Sequence, residues 1–266
     1  MSLNVSTTGA GPALLLLHGF TGTARSWSLQ AESWAGHHRV IAPDLLGHGG
    51  SDAPTDPAAY QLERQAETLA ELLRLLEAVP ATAVGYSMGA RLALVLALEH
   101  PELIDALVLE SPSAGIADAL DRTARAAADE NLASEIERDG VAAFVDRWEA
   151  LPLFASHAAL PESTRAAQRQ ERLRSTADGL AASLRGAGQG QMAPLHERLG
   201  EIDVPALVIA GRRDEVGMAR ARVVAGGIPS ARLETIDDAG HTPHLEAPAP
   251  YARLITDFLA ASQPTR

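Results

Sequence analysis

The chain has 266 residues, of which 46% are hydrophobic, so it is long enough for one large α/β domain or two small domains with a buried core. A formal charge of −12 disfavours nucleic acid and anionic membranes as partners, because most of the surface would repel polyanions. The sequence contains neither cysteine nor lysine, which excludes disulfides and cysteine nucleophiles and leaves arginine as the side chain that binds carboxylates bidentately.

The apolar runs and the start of the chain predict a cytoplasmic protein. Residues 1–11 lack the basic start and apolar centre of a signal peptide, and no apolar run reaches the roughly 18 residues that a membrane span needs. We expect a monomer or a small homo-oligomer.

Six short apolar runs, each bounded by turn residues, predict the buried strands of a parallel sheet. They cover residues 13–17, 40–42, 81–84, 105–109, 206–210 and 232–236. Segments with helical periodicity separate these runs, for example at residues 62–79 and 91–100, and the second segment is apolar nearly all round. The alternation favours an α/β fold with a mostly parallel, twisted sheet and helices on both faces.

The alternation of strands and helices stops after residue 111 and resumes near residue 203. The intervening segment shows helical patterns at residues 119–138, 141–150, 162–174 and 179–185. We therefore predict a core formed by residues 1–111 and 203–266, with an inserted helical cap at residues 112–202. A polar end is predicted at residues 263–266.

A serine flanked by glycines, in Gly85-Tyr86-Ser87-Met88-Gly89, stands between a predicted strand and a predicted helix. Small residues two positions before and after the serine let a strand and a helix approach at a sharp turn, as in the nucleophile elbow of α/β-hydrolases. An ordinary turn can show the same short pattern. The partners that a reactive serine requires, a base and an orienting carboxylate, decide between these readings.

Two loops after later strands supply a candidate base and its carboxylate. Asp214 follows the strand at residues 206–210 and His241 follows the strand at residues 232–236, which gives the order serine, acid, histidine. We therefore predict that His241, oriented by Asp214, activates Ser87. The alternative acids are Asp203, at the wrong end of its strand, and Asp237 and Asp238, which are close in sequence to His241. His244 is the alternative base, with a structural or substrate-side role as its other interpretation, and the glycine before His241 favours His241 because it permits a close approach.

An oxyanion hole is predicted from two backbone N–H groups. One belongs to Met88, the residue after the serine, and the other to Phe20 in the loop after the strand at residues 13–17. His18 in the same loop is interpreted as structural, because a histidine beside a glycine at a strand end commonly fixes a loop by hydrogen bonding. The turn-rich residues 44–52 are expected to support that loop.

The motifs LLLLHGFTG, PDLLGHGGSD, GYSMGA, GRRD and AGHTPHLE together resemble the α/β-hydrolase superfamily from His18 to about Leu259. The predicted cap narrows the resemblance, because LPLFAS and GLAASLRGAGQG, taken with GYSMGAR, are similar to the menaquinone-pathway synthases that form 2-succinyl-6-hydroxy-2,4-cyclohexadiene-1-carboxylate. That resemblance implies a lyase that eliminates pyruvate from a small carboxylate substrate without a metal or organic cofactor. Ser87 would then act as the base, and the Phe20 and Met88 amides would hold the charge that arrives on the succinyl carbonyl.

The resemblance also implies a set of residues that contact the anionic substrate. Arg91 lies one helical turn past Ser87, where a buried acidic partner and a substrate carboxylate are equally compatible with the sequence alone. The other members implied by the resemblance are Tyr86, Arg125, Trp148 and Arg174. Arg122 is the alternative to Arg125, and Arg172 is the alternative to Arg174. Trp148 could instead belong to the packed core of the cap.

Four positions depart from the pattern of these synthases. Ala90 stands where glycine is usual, which is a harmless change, whereas Glu149, Arg212 and Val216 bear on the substrate geometry more than on the reaction class. The alternative activity is a carboxylester or carbon–carbon bond hydrolase that works through an acyl-enzyme on Ser87. A binding protein without catalysis is disfavoured because all three catalytic candidates are present.

Overall fold

Seven strands form one sheet in the computed structural model, which describes residues 1–262. The polar end predicted at residues 263–266 lies outside the described residues. The strands are β1 (Val5–Thr8), β2 (Ala13–Leu17), β3 (Arg39–Pro43), β4 (Ala81–Tyr86), β5 (Ile104–Glu110), β6 (Ala206–Gly211) and β7 (Ala231–Ile236). Their order is β1-β3-β2-β4-β5-β6-β7, with β1 antiparallel to β3 and every other pair parallel. The predicted α/β fold and the six predicted strands are confirmed, although β7 is only partly buried.

The edge strand β1 was not predicted. Its sequence Val5-Ser6-Thr7-Thr8 is polar and mostly exposed, so it carries no apolar run. It forms because its backbone groups pair with β3, from Val5 opposite Pro43 to Thr8 opposite Val40. Such edge pairing depends on a neighbour that is distant in sequence, which periodicity does not reveal.

Nine α-helices surround the sheet within residues 1–262: α1 (Ser28–Trp34), α2 (Leu62–Leu75), α3 (Met88–Glu99), α4 (Ala119–Glu149), α5 (Glu162–Arg172), α6 (Ala177–Ala187), α7 (Glu215–Gly227), α8 (Pro243–Glu246) and α9 (Pro248–Ser262). Short 3-10 helices lie at Ala24–Trp27, Pro57–Tyr60, Pro101–Leu103, Pro152–Ala159 and Leu199–Glu201. Helix α2 ends earlier than predicted, because Glu77 adopts a positive φ of 51° and Pro80 disfavours helical backbone at the residue before it. None of the helices in residues 1–262 is long and apolar enough to cross a membrane.

The two faces of the sheet are buried by different helices. Leu15 and Leu17 of β2 pack in a cluster with residues of α2, α3 and α7, whereas Leu14 and Leu16 pack with Trp27 and residues of α9 on the opposite face. Successive strand residues point to opposite faces, so an uninterrupted leucine run is the sequence of a strand covered on both sides.

Helices α4, α5 and α6 lie between β5 and β6, in the segment predicted as a cap. Helix α4 is continuous except at Gly140, where φ is 81°, and this break separates the two helices predicted there. The segment has a small apolar cluster of its own, which includes Ile136, Phe144 and Leu180. The 3-10 helix Pro152–Ala159 was not predicted; it contributes Phe154 to the site described below.

Candidate active site

Ser87 occupies a strained turn between β4 and α3. Its φ of 52° and ψ of −103° are unusual for a residue with a side chain, and its N–H donates to the Glu110 carbonyl at 2.9 Å. The flanking glycines are required here, since a Cβ at Gly85 would collide with the Gly89 backbone and a Cβ at Gly89 would collide with the Leu17 carbonyl. The turn therefore presents the serine side chain at the carboxyl edge of the sheet.

Ser87, His241 and Asp214 form a hydrogen-bonded chain. The Ser87 Oγ lies 3.2 Å from His241 Nε2, and His241 Nδ1 lies 2.6 Å from Asp214 Oδ2. Asp214 caps α7 and also accepts from the Gly217 N–H at 2.8 Å. Burial would raise the pKa of the Asp214 carboxyl, but the hydrogen bonds from His241 and Gly217 hold it below its usual value. Asp214 thus remains an anion that can orient the imidazole and stabilise its charged form.

The competing acids and the competing histidine lie elsewhere. Asp237 and Asp238 form surface ion pairs with Arg212 and Arg213, at 2.6 and 3.0 Å. Asp203 precedes β6 and therefore lies at the opposite end of that strand from Asp214. These three carboxylates are not brought to Ser87.

His244 is a buried structural residue in this arrangement. Its Nδ1 lies 2.8 Å from Glu110 Oε1, and its backbone N–H donates to the same carboxylate at 3.0 Å. Its ring packs against Trp27 and Tyr86, with centroid separations of 4.9 Å for both. The Glu110 pair satisfies the ring nitrogen that faces the core, so His244 supports the floor of the site.

Glu246 holds the backbone on both sides of His241. Its buried carboxylate accepts from the Gly240 N–H at 2.7 Å and from the Thr242 N–H and hydroxyl at 2.9 and 2.8 Å. From the cap segment, His157 Nε2 lies 2.5 Å from the Thr242 Oγ1. Burial would raise the pKa of Glu246, but these hydrogen bonds lower it. The carboxylate therefore fixes the loop that positions the imidazole.

Glu246→Gln is expected to lower kcat about tenfold with little change in KM. The glutamine amide has one acceptor oxygen where the carboxylate has two, so the His241 loop loses part of the hydrogen bonding that holds it. Steady-state kinetics will measure both constants. Glu234→Gln, which removes one member of a surface ion pair with Arg232, is the matched control and should leave both constants unchanged. A change in KM alone for Glu246→Gln would contradict a positioning role.

The loop after β2 is fixed by a neutral histidine, in agreement with the structural role predicted for His18. The Leu45 N–H donates to His18 Nε2 at 2.8 Å, so Nδ1 carries the proton and donates to the Gly19 carbonyl at 2.8 Å. Burial lowers the pKa of His18 to about 4. Asp44 supports the same region by accepting from the Ala24 N–H at 2.7 Å.

This buried histidine makes the fold acid-sensitive. The unfolded chain protonates His18 near its ordinary pKa of 6.5, but the folded chain does so only near 4, so the unfolded state binds more protons between these values. The stabilisation is complete above about pH 6.5 and is lost as the pH falls towards 4. His18 alone should remove about 3 kcal/mol of unfolding free energy, and His48 and His157, whose pKa values burial lowers to about 3 and about 4, add to the loss in the same direction. Urea unfolding across this range will measure it. His37→Gln, at an exposed position, should keep the same pH dependence, whereas a flat profile for the unsubstituted chain would contradict the account.

The Phe20 and Met88 residues both border the cavity in front of Ser87. Within residues 1–262 neither backbone N–H donates to a protein acceptor. Met88 is also the first residue of α3, where the helix dipole favours negative charge. The two amides are thus available to an oxygen that gains charge during a reaction.

The cavity at Ser87 is built from both the sheet edge and the cap segment. Its aromatic wall includes Phe20, Trp148 and Phe154, with ring centroids 5.4 Å apart for Phe20–Trp148 and 5.8 Å apart for Trp148–Phe154. Tyr86 also lines the cavity, and its ring centroid lies 5.5 Å from that of His241. Trp148 therefore contributes both to the apolar cluster of residues 112–202 and to the wall of the site.

Arg91 is buried in the cavity wall, and within residues 1–262 it forms no ion pair. Its guanidinium donates to the Ala187 carbonyl at 2.8 Å, and no carboxylate of the described chain lies within 4.0 Å. Desolvation, together with the positive charge of Arg125, lowers the pKa of Arg91 to about 10. Of the two readings that the sequence left open, a scaffold carboxylate is not found among residues 1–262.

The predicted cap arginines separate into two groups. Arg125 lines the cavity and forms an ion pair with Asp129 at 2.7 Å. Arg174 is not brought to the cavity, because its side chain is 48% exposed and pairs loosely with Glu171 at 3.7 Å. Placement of Arg174 in the cavity wall is thus a prediction that the structure does not support.

The two rival arginines also lie outside the cavity wall. Arg122 donates to the Ile116 carbonyl at 2.8 Å. Arg172 is bound by Glu149 at 2.7 Å and stacks behind the Phe154 ring, with its guanidinium carbon 5.3 Å from the centroid.

Comparison with known proteins decides the family. The family model for the α/β hydrolase fold matches residues 12–248. The chain belongs to the α/β-hydrolase family. It is 42% identical over 252 residues, covering 95% of this chain and 92% of the relative, to a Bacillus subtilis protein provisionally assigned as 2-succinyl-6-hydroxy-2,4-cyclohexadiene-1-carboxylate synthase.

Two solved structures illustrate the range of similar α/β-hydrolases. MenH from S. aureus has a TM-score of 0.94 and 33% identity, with coverage of 98% of this chain and 99% of the other. A thermophilic esterase from Thermogutta terrifontis has a TM-score of 0.86 and 25% identity, with coverage of 98% and 94%. The fold and the family are shown by these likenesses.

Arg220 and Glu246 are among the residues of this α/β-hydrolase site that were not singled out from the sequence. Arg220 lines the cavity from α7. Helical spacing could have identified it, because Val216, Gly217 and Arg220 share one face of the helix that follows Asp214. Glu246 reaches back to the His241 loop through the turn of α8. No sequence motif predicts this contact, because it depends on how the folded chain turns at α8.

Proposed function

We propose that this α/β-hydrolase is a lyase that forms 2-succinyl-6-hydroxy-2,4-cyclohexadiene-1-carboxylate and pyruvate from 2-succinyl-5-enolpyruvyl-6-hydroxy-3-cyclohexene-1-carboxylate. The observation that carries the proposal is the 42% identity to the B. subtilis relative across 95% of this chain. The reaction uses a small soluble carboxylate, which fits a cytoplasmic location. Residues 112–202 act as a cap that supplies Trp148, Phe154 and Ser183 to the substrate cavity.

The bonding of the substrate and the product defines an elimination. The ring double bond of the substrate lies at carbon 3, and the product has double bonds at carbons 2 and 4, so the C2–H bond and the bond from carbon 5 to the enolpyruvyl oxygen break. The electron pair of the C2–H bond forms the new bond between carbons 2 and 3, and the original double bond shifts to carbons 4 and 5. The expelled enolpyruvate takes up a proton and tautomerises to pyruvate. The succinyl carbonyl adjoins carbon 2 and makes its hydrogen acidic.

The hydrogen-bonded chain at Ser87 provides the base for this step. His241 accepts the Ser87 hydroxyl proton, Asp214 stabilises the resulting imidazolium, and the serine oxygen takes the proton from carbon 2. The Phe20 and Met88 amides hold the charge that moves onto the succinyl carbonyl oxygen. The imidazolium then returns a proton to the departing enolpyruvate oxygen, so the enzyme ends in its starting state.

Pyruvate release tests the proposal. Purified protein mixed with the enolpyruvyl substrate should produce pyruvate, followed by lactate dehydrogenase and the loss of NADH absorbance. Succinyl-free enolpyruvyl ethers serve as the control substrate, because they lack the carbonyl that acidifies carbon 2. Rapid turnover of simple esters without pyruvate release would contradict the proposal.

A carboxylester or carbon–carbon bond hydrolase is the second candidate. It is favoured by the similarity to the T. terrifontis esterase and by the same Ser87–His241–Asp214 geometry, which suits attack on a carbonyl as well as removal of a proton. In that reaction Ser87 would carry an acyl group between two half-reactions.

A further inference from the structure

Three guanidinium groups line the cavity at Ser87. They belong to Arg91 on α3, Arg125 on α4 and Arg220 on α7, so each comes from a different helix. Within residues 1–262, neither Arg91 nor Arg220 has a carboxylate within 4.0 Å, and Arg125 forms an ion pair with Asp129 only. Asp129 pairs with Arg125 and the charge of Asp214 acts on Arg220, so three guanidinium groups face two carboxylates and the cavity keeps an excess of positive charge.

Arg220 lies half-buried in the cavity wall, where it has lost part of its hydration and no carboxylate of residues 1–262 lies within 4.0 Å to replace it. It lies on the face of α7 that begins beside Asp214, but the Asp214 oxygens are already bonded to His241 and Gly217. Burial, followed by the nearby charge of Arg125, lowers the pKa of Arg220. The two like charges face each other at a cost that a bound anion would offset.

The substrate proposed above has three carboxylates: one on the ring, one at the end of the succinyl chain and one on the enolpyruvyl group. We propose that Arg220 binds one of these three carboxylates and completes a set of three cations matched to a tricarboxylate. This inference rests on the proposed function for the identity of the ligand. The geometry itself predicts a ligand with more negative charge than a simple ester or a monocarboxylate.

The remaining arginines near the site are already occupied. Arg172 is held by Glu149 and stacks behind Phe154, and Arg174 is directed away from the cavity towards Glu171. Neither lines the cavity at Ser87, whereas Arg220 does. The third cation of the cavity is therefore supplied by α7 and not by Arg172 or Arg174.

Arg220→Leu will test the inference. KM for the enolpyruvyl substrate should rise about ten- to a hundredfold with a smaller effect on kcat, because one charge-assisted contact to a carboxylate is lost. Arg220→Lys should recover part of that loss, since the charge is kept without the bidentate fork. Arg222→Leu removes an exposed arginine of the same helix and should leave KM unchanged. Equal KM values for Arg220→Leu and Arg222→Leu would overturn the inference.

A binding measurement separates this inference from the proposed reaction. Isothermal calorimetry with propane-1,2,3-tricarboxylate should show weaker binding to Arg220→Leu than to the unsubstituted chain. The affinities of the two proteins for succinate should differ by a smaller factor. This readout needs no turnover. Absence of pyruvate release would contradict the proposed function alone, whereas equal affinity of both proteins for the tricarboxylate would contradict the role of Arg220 alone.

Discussion

Ser87→Ala will reduce kcat for pyruvate release by about 10²- to 10⁴-fold, the range expected when a positioned base is removed. The Ser87 Oγ is the atom that lies 3.2 Å from His241 Nε2, and alanine leaves the imidazole without a hydroxyl through which to act. The fold should survive, because alanine is as small as serine and the strained turn is set by Gly85 and Gly89.

Steady-state pyruvate assays and thermal unfolding will measure the effect of this substitution. Ser113→Ala is the matched control, since Ser113 also lines the cavity but, among residues 1–262, its hydroxyl accepts only from the nearby Gly115 N–H. It should retain nearly full kcat. A kcat for Ser87→Ala within a few-fold of the unsubstituted value would contradict the assignment of Ser87 as the base.

Arg91→Met should weaken substrate binding strongly without lowering the unfolding temperature. A buried guanidinium that donates to the Ala187 carbonyl but has no carboxylate within residues 1–262 is costly to the folded protein, as its depressed pKa of about 10 indicates. Methionine removes that cost. Loss of a charge-assisted pair to a substrate carboxylate should raise KM about ten- to a hundredfold.

The comparison of KM with thermal stability decides the role of Arg91. Arg185→Met, which removes a surface network with Glu130 and Glu137 on α4, is the control and should change stability slightly and KM hardly at all. If Arg91→Met instead lowers the unfolding temperature and leaves KM unchanged, then Arg91 is structural.

The sheet and the residues at its carboxyl edge were predictable because buried strands have distinctive apolar runs. The runs at β4, β6 and β7 placed Ser87, Asp214 and His241 on loops at one edge, and the structure brings these side chains together. Strand β1 was missed because it is polar and is stabilised by pairing with β3.

The substrate-facing residues were harder to predict, because they depend on how helices are rotated against the sheet. Arg174 and Arg172 lie two residues apart in sequence, yet one is exposed and the other stacks behind Phe154. Arg220 enters the cavity only because α7 turns the face with Val216 and Gly217 towards it. Sequence periodicity identifies such a face but not what it meets.

Single-turnover product analysis tests the central claim, that Ser87 removes a proton and does not attack a carbonyl. Excess enzyme is mixed with the enolpyruvyl substrate, and pyruvate, succinate and the mass of the Ser87 peptide are measured in the same quenched samples. If Ser87 acts as the base, the samples will contain equimolar pyruvate, intact succinyl-cyclohexadiene product and an unmodified Ser87 peptide. Release of succinate through a succinylated Ser87 would contradict it.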